Sequence, residues 1–258
     1  MDDGTSKKHT TQVRKLLTRE RYAASLSGYR TTRKGKRVAP VASSPSTSDL
    51  PSRETGKSSH LATGATSVLG RKMKTNFFYD TEFLEDGQTI DLISFGMICL
   101  ETGEEFYAVN RDADWERIRR HDWLMENVVP SLPVSWDSHG LLNFHHSVEF
   151  ADILPKEVIR TSLMDFVDHN QKDGIKNRFW AWYGDYDHVA MAQLFGPMIG
   201  IPQNFPKFTM DLRQYAEHLG NPSLPDQAEG EHNALEDARH NIVRYKFLKE
   251  IEKEKWRK

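Results

Sequence analysis

A single discontinuity near residue 72 limits what this chain can fold into. Residues 1–72 contain two Tyr, no Phe or Trp, 21 Ser/Thr, and 15 Lys/Arg against five Asp/Glu. The remainder holds the other 25 of 27 aromatics, with 20 Lys/Arg against 32 Asp/Glu. A segment so poor in large apolar groups cannot bury enough surface to offset the loss of chain entropy, so residues 1–72 are expected to be a basic, Ser/Thr-rich disordered tail. A folded body is expected over 73–258, and Met73 stands where its pattern begins, a conceivable start of translation. The formal charge of −2 describes neither part, since the tail carries +10 and the body −12. Within the tail, Gln12 to Ser27 reads as a transient basic helix, and Arg33, Lys34, Lys36 and Arg37 as a cluster able to hold an anionic surface. A solvated linker with no further role fits the same composition.

Several function classes fall away. The lone Cys99 forms no internal disulfide and no Cys-type zinc site, which suits a reducing compartment. No run approaches the roughly 18–20 apolar residues of a membrane span, and the N-terminus lacks the apolar core of a secretory signal. A soluble, cytoplasmic protein with no membrane partner is the expectation.

In the body, Asn76 to Tyr79, Thr89 to Leu100 and Glu105 to Val109 read as three antiparallel strands, with a Gly-containing turn at Glu101 to Glu104. Trp115 to Arg120 reads as a short helix, and Trp123 to His146, broken by Pro130 and Pro133, as irregular. Pro155 suits a first helical position, followed by Val158, Ile159, Leu163, Phe166 and Val167 at helical spacing. Phe179 to Tyr183 is a strand, Asp187 caps a helix running to Phe195, and Phe208 to Leu212 is a short strand before a helix that Gly220 stops. Asn233, with Glu236 three residues on, opens a last helix striped by Leu235, Ala238, Ile242, Tyr245 and Leu248. Strands first, then alternating helices and strands, imply an α/β layered domain on a mixed sheet.

Three places put acids where packing does not ask for them. Asp80-Thr81-Glu82 follows an apolar strand, and a period of two points both carboxylates to one side. Two such groups repel unless a cation lies between them, and hard divalent ions take oxygen ligands. Asp187 sits where an aromatic strand passes into a helix, with Asp185 a nearby competitor. His232 precedes Asp237 by five residues, and an imidazole beside bound water is a good general base near neutral pH. Taken singly, each has a plainer explanation: surface acids, a helix N-cap, a chance pair. His139, His145 and His146 lack acidic or Cys partners at ligand spacing and read as solvated loop. Trp180, Trp182 and Tyr183 read as core before substrate contacts.

Together, Tyr79-Asp80-Thr81-Glu82-Phe83, Tyr186-Asp187 and His232-x4-Asp237 resemble the three motifs of the DEDDh 3′–5′ exonucleases. The run Phe179 to Val189 looks most similar to the ribonuclease T and ribonuclease AS branch. One departure is Trp182, at a position where many relatives carry Asn. The resemblance implies a ribonuclease-H-like fold, three antiparallel strands plus parallel ones flanked by helices. It implies that Asp80, Glu82, Asp187 and Asp237 bind two divalent ions, Mg²⁺ or Mn²⁺. His232 would be the general base, and Thr81 and Phe83 would contact substrate, Phe83 by stacking on the terminal base. The activity implied is removal of nucleoside 5′-monophosphates from single-stranded nucleic acid, RNA before DNA, and related enzymes often act as homodimers. Single-stranded DNA as substrate, an inactive fold serving as a nucleic-acid-binding module, and a tail that is itself the functional element are the alternatives. The presence of all four carboxylates and the histidine weighs against the inactive fold.

Overall fold

The structure, a computed structural model, describes residues 74–145, 152–171 and 176–257. The expectations for the tail, and the reading of His146, lie outside the described residues. The apolar run beginning at Asn76 forms the central strand β1 (Lys74–Glu85). It pairs antiparallel with β2 (Ile90–Cys99) from Phe77 opposite Cys99 to Glu85 opposite Ile90. Asp80, Thr81 and Glu82 therefore lie inside the strand and do not follow it, because β2 supplies backbone partners along this whole length. The reversal is an Asp86-centred turn, whose Oδ1 accepts the N–H groups of Gln88 at 3.0 Å and Thr89 at 2.8 Å. β3 (Glu105–Asn110) completes the expected meander against β2.

Parallel strands extend both sides. β6 (Asp152–Leu154) lies beside β3, and β7 (Lys176–Ala181) lies beside β1, with β8 (Met210–Asp211) outside it. The resulting order is β6-β3-β2-β1-β7-β8, the expected mixed sheet of three antiparallel strands plus parallel ones. The stretch from Trp123 is not irregular. After α1 (Trp115–Arg119) it forms α2 (Asp122–Asn127), a 3₁₀ turn at Val129–Ser131, and a hairpin of β4 (Val134–Trp136) and β5 (Leu142–Phe144). Pro130 sits within the 3₁₀ turn and Pro133 just ahead of β4, so neither removes a needed ladder bond. Leu124, Val128, Leu132 and Val134 bury against Leu84, Ile93 and Trp115, which is what orders the segment.

Helices cover both faces. On one, Phe77, Tyr79, Phe95 and Met97 pack against Ile159 and Leu163 of α3 (Lys156–Asn170) and Met191 of α4 (Asp185–Gln193). Pro155 is the N-cap of α3, one position earlier than expected. On the other face Phe78 and Trp180 meet Leu212 of α5 (Leu212–His218) and Ile242 and Tyr245 of α6 (Ala234–Lys255). Trp180 is core, 5% exposed and stacked on Phe78 with centroids 6.1 Å apart.

The start of α6 is fixed twice. Asn233 Oδ1 accepts the N–H groups of Leu235 at 3.1 Å and Glu236 at 3.2 Å, the expected cap. Gly96 of β2 lets this end of the helix lie directly on the strand. A Cβ at Gly96 would stand 2.4 Å from the backbone of Ala234 and Leu235.

Candidate active site

β7 accompanies β1 only from Lys74 to Phe78, opposite Lys176 to Trp180. Beyond that point one edge of β1 loses its strand neighbour while β2 still holds the other. A backbone N–H left at such an edge needs a partner. That of Thr81 donates to Asp187 Oδ1 at 2.8 Å, and Thr81 Oγ1 donates to the same oxygen at 2.5 Å. Asp187 thus replaces the missing strand, and the opening beside it is the cleft.

Asp187 does not cap its helix. Gly184 is the N-cap, and Asp187 is the third residue of α4, 5% exposed. The His188 N–H donates to the Gly184 carbonyl at 2.9 Å to open the helix, and Asp211 Oδ2 anchors the turn by accepting the Gly184 N–H at 2.7 Å. A Cβ at Gly184 would meet Ala181 Cβ and Thr209 Cγ2 at 2.8 Å, and Tyr183 just before it takes a φ of 54° to make the turn. Asp185 points to solvent, which removes it as a competitor.

Asp80 and Glu82, two apart on β1, share the strand face that α6 covers. Asp237, in the first turn of α6, joins them, and one oxygen from each of the three lies within 4.8 Å of the others. Asp237 Oδ1 also accepts from Gln227 Nε2 at 2.8 Å. Asp187 lines the same cleft but is not one of this close trio.

The four carboxylates are crowded electrostatically. Burial raises Asp80 well above the ordinary carboxylate range, and the charges of Asp187, Glu82 and Asp237 push it further. Glu82 is pushed up to about 8 by burial and then by Asp237 and Asp187. Burial lifts Asp187 to about 7 even though the two Thr81 hydrogen bonds pull it down. Asp237 is raised by burial, against the Gln227 hydrogen bond. An oxygen-only donor set whose members repel one another suits a hard divalent cation, which the trio could hold.

His232 lines the same cleft in a left-handed turn, φ 63°. Its carbonyl accepts from Ser131 Oγ at 2.9 Å, and Trp123 meets its ring edge-on with centroids 4.9 Å apart. Phe83 stacks on Tyr186 at 5.7 Å with an interplanar angle of 15°. Trp182, half-buried at the rim, carries the Arg244 guanidinium 4.5 Å from its ring centroid, and Tyr183 is exposed beside it. All seven sequence-predicted site residues line this one cavity of 630 Å³. His139 and His145 are exposed and outside it.

Sequence reasoning missed Trp123, Gln227 and Arg244. Arg244 carried a usable signal, because it follows Asp237 by seven residues, two helical turns along one face. Trp123 and Gln227 carried none, since only the fold brings them to the cleft.

A carboxylate-lined cleft at the open edge of the central strand of a mixed α/β sheet marks an enzyme domain. The family model for the Rv2179c-like 3′-5′ exoribonuclease domain matches residues 75–248, a span that holds every cleft residue named above, and the chain belongs to that family. Two curated relatives from Mycobacterium tuberculosis carry the names 3′-5′ exoribonuclease Rv2179c (strain ATCC 25618 / H37Rv) and 3′-5′ exoribonuclease MT2234.1 (strain CDC 1551 / Oshkosh). Each is 39% identical over 176 residues, which is 67% of this chain and 92% of the relative. Among the described residues, no helix is long and apolar enough to cross a membrane.

Proposed function

We propose that this chain is a metal-dependent 3′–5′ exoribonuclease of the DEDDh type, akin to ribonuclease T and ribonuclease AS, whose folded enzyme spans residues 73–258. It removes nucleoside 5′-monophosphates from single-stranded RNA ends. The observation that carries this reading is the meeting of Asp80, Glu82 and Asp237 within 4.8 Å, in a cleft also lined by Asp187 and His232. Asp80, Glu82, Asp187 and Asp237 would hold two Mg²⁺ or Mn²⁺ ions. Bound ions of this kind acidify water and stabilise charge on both the attacking and the leaving oxygen of a phosphodiester.

The chain's own groups do the rest. His232 accepts a proton from the attacking water as the new P–O bond forms. The bond from phosphorus to the 3′-oxygen breaks and that oxygen takes up a proton from solvent, leaving a 5′-monophosphate and a strand shorter by one nucleotide with a free 3′-hydroxyl. Ser131 and Trp123 hold the His232 turn and ring in place. Phe83, already stacked on Tyr186, offers a flat apolar surface to the terminal base. Thr81 contacts substrate from the cleft floor while tying Asp187 to β1. Homodimer formation belongs to the same proposal, supported by the exposed apolar side chains Met198, Ile199 and Phe208.

Digestion of 5′-labelled single-stranded RNA and matching DNA, with Mg²⁺, Mn²⁺ or chelator, tests the activity. A descending ladder on RNA that needs metal and is absent for Asp80→Ala is expected. A fully active Asp80→Ala enzyme overturns the site, and faster cleavage of DNA moves the substrate to the alternative class.

A further inference from the structure

A second cavity of 560 Å³ adjoins the first and shares Trp182, Gln227, Glu231 and Arg244 with it, so the two form a continuous trough. Its far wall is the loop that runs from Asn221 to Gln227. The shared wall contains one cation, Arg244. The other cation of the second cavity, Arg213, pairs with Glu217 at 2.9 Å.

Arg244 is differently placed. The charges of Asp237, Asp80 and Glu231 act on it, but among the described residues none of these carboxylates forms an ion pair with it, and its side-chain hydrogen bond runs from Nη1 to Asn241 Oδ1 at 3.0 Å. A guanidinium has five N–H donors in one plane. Here the guanidinium carbon lies over the Trp182 ring, 4.5 Å from the centroid, so the group is held at that ring before any ligand arrives. Arg244 lines both cavities, and one of its five N–H groups is engaged by Asn241. A half-buried guanidinium held against an aromatic ring, with donors to spare, matches the oxygens of a phosphate, and bidentate contact is the mode in which Arg exceeds Lys.

The position within the trough says which phosphate. In the proposed reaction the scissile phosphate lies over Asp80, Glu82 and Asp237, and the terminal nucleotide lies against Phe83. From there a 3′-end substrate continues in the 5′ direction alone. We infer that Arg244, braced on Trp182, holds the phosphate one step 5′ of the scissile bond, and that the adjoining cavity receives the penultimate nucleotide. This rests on the exonuclease reading above. Asp226 and Glu231 line the second cavity too, so attraction there comes from the single contact and not from a basic surface.

The test compares a ribodinucleotide bearing a free 5′-hydroxyl with the same dinucleotide bearing a 5′-phosphate, which supplies that one additional group. Wild-type enzyme is expected to favour the phosphorylated form about tenfold or more in kcat/KM, as a charge-assisted hydrogen bond implies. Arg244→Gln should bring the ratio close to one, Arg244→Lys should leave an intermediate ratio, and Trp182→Leu should shrink it by freeing the guanidinium. Equal losses on both dinucleotides in Arg244→Gln, with the wild-type ratio retained, would overturn the subsite and leave Arg244 as a counter-charge to Asp80 and Asp237. Should Arg244→Gln fail to fold, as judged by circular dichroism, the Arg244→Lys ratio decides. Wild-type enzyme that degrades long RNA yet treats both dinucleotides alike refutes the subsite alone. If it degrades no RNA at all, the exonuclease reading falls and the subsite with it.

Discussion

Replacing Glu82 by Gln is expected to stabilise the cation-free protein while destroying its activity. The Glu82 carboxyl is pushed up to about 8 by burial and by the neighbouring Asp237 and Asp187, from an ordinary value of 4.5. Between those two pH values the folded protein keeps a proton that the unfolded chain releases, so stability falls as pH rises across that window. At pH 7 the accumulated penalty is about 3 kcal/mol, and at pH 5 it is below about 1 kcal/mol. Gln keeps the shape and carries no charge, so it removes the penalty. For a folded domain of this size about 3 kcal/mol corresponds to a rise in Tm of roughly 6–12 °C. Thermal unfolding in chelator at pH 7 and pH 5, followed by circular dichroism, measures both gains. Added Mn²⁺ should raise the wild-type Tm and raise that of Glu82→Gln much less, because a ligand stabilises only the state that binds it. An unchanged or lowered Tm at pH 7 in chelator, or an equal gain at both pH values, would refute the view that the buried Glu82 charge, crowded by Asp237 and Asp187, is a cost that a cation relieves here.

Three further outcomes are expected. Gly96→Ala places a Cβ 2.4 Å from the backbone of Ala234 and Leu235, so the start of α6 must move and carry Asp237 with it. About 1–3 kcal/mol of stability should be lost, together with at least tenfold in kcat, read by denaturant titration and steady-state kinetics. Phe83→Ala removes the ring stacked on Tyr186 and should raise KM for single-stranded RNA by roughly 5- to 100-fold, the equivalent of about 1–3 kcal/mol of base stacking. An unchanged KM would take Phe83 out of the substrate site. A chain beginning at Met73 lacks the +10 segment and should bind RNA more weakly at low salt, the difference closing as salt rises. Parallel salt titrations of the two chains check this, and coincident curves would leave the tail without an electrostatic role.

The parts of this site that were legible in the sequence are those in which function contradicts local physics. Asp80 and Glu82 stand in an apolar strand, and no packing demand explains acids there. The period of two then placed both on one face. The end of β1 was illegible for a related reason. Acids usually mark where a strand stops, but here β2 pairs as far as Glu85, and only the pairing partner reveals it. Asp187 was found, though with the wrong local role. The cap position belongs to Gly184, whose turn is anchored by a distant group, Asp211, holding the Gly184 N–H, and a local window contains no trace of that bond. The ordered segment from Asp122 to Phe144 was hidden because a six-residue helix and three-residue strands are too short to show a period.

One consequence joins the fold to the site. β1 keeps its antiparallel neighbour to its end but loses its parallel one after Phe78. That half-paired stretch exposes backbone donors on one side and carboxylates on the face that α6 covers. The exposed Thr81 N–H draws in Asp187 from the chain that follows β7. The Gly96 gap seats the start of α6, whose first turn carries Asp237. Neither recruitment depends on the other, since one is a hydrogen bond at the edge of β1 and the other a close packing contact on β2. Loosening the α6 contact through Gly96→Ala should therefore displace Asp237 while Asp187 stays bonded to Thr81. A variant in which both carboxylates shift together would show instead that the cleft forms as one unit.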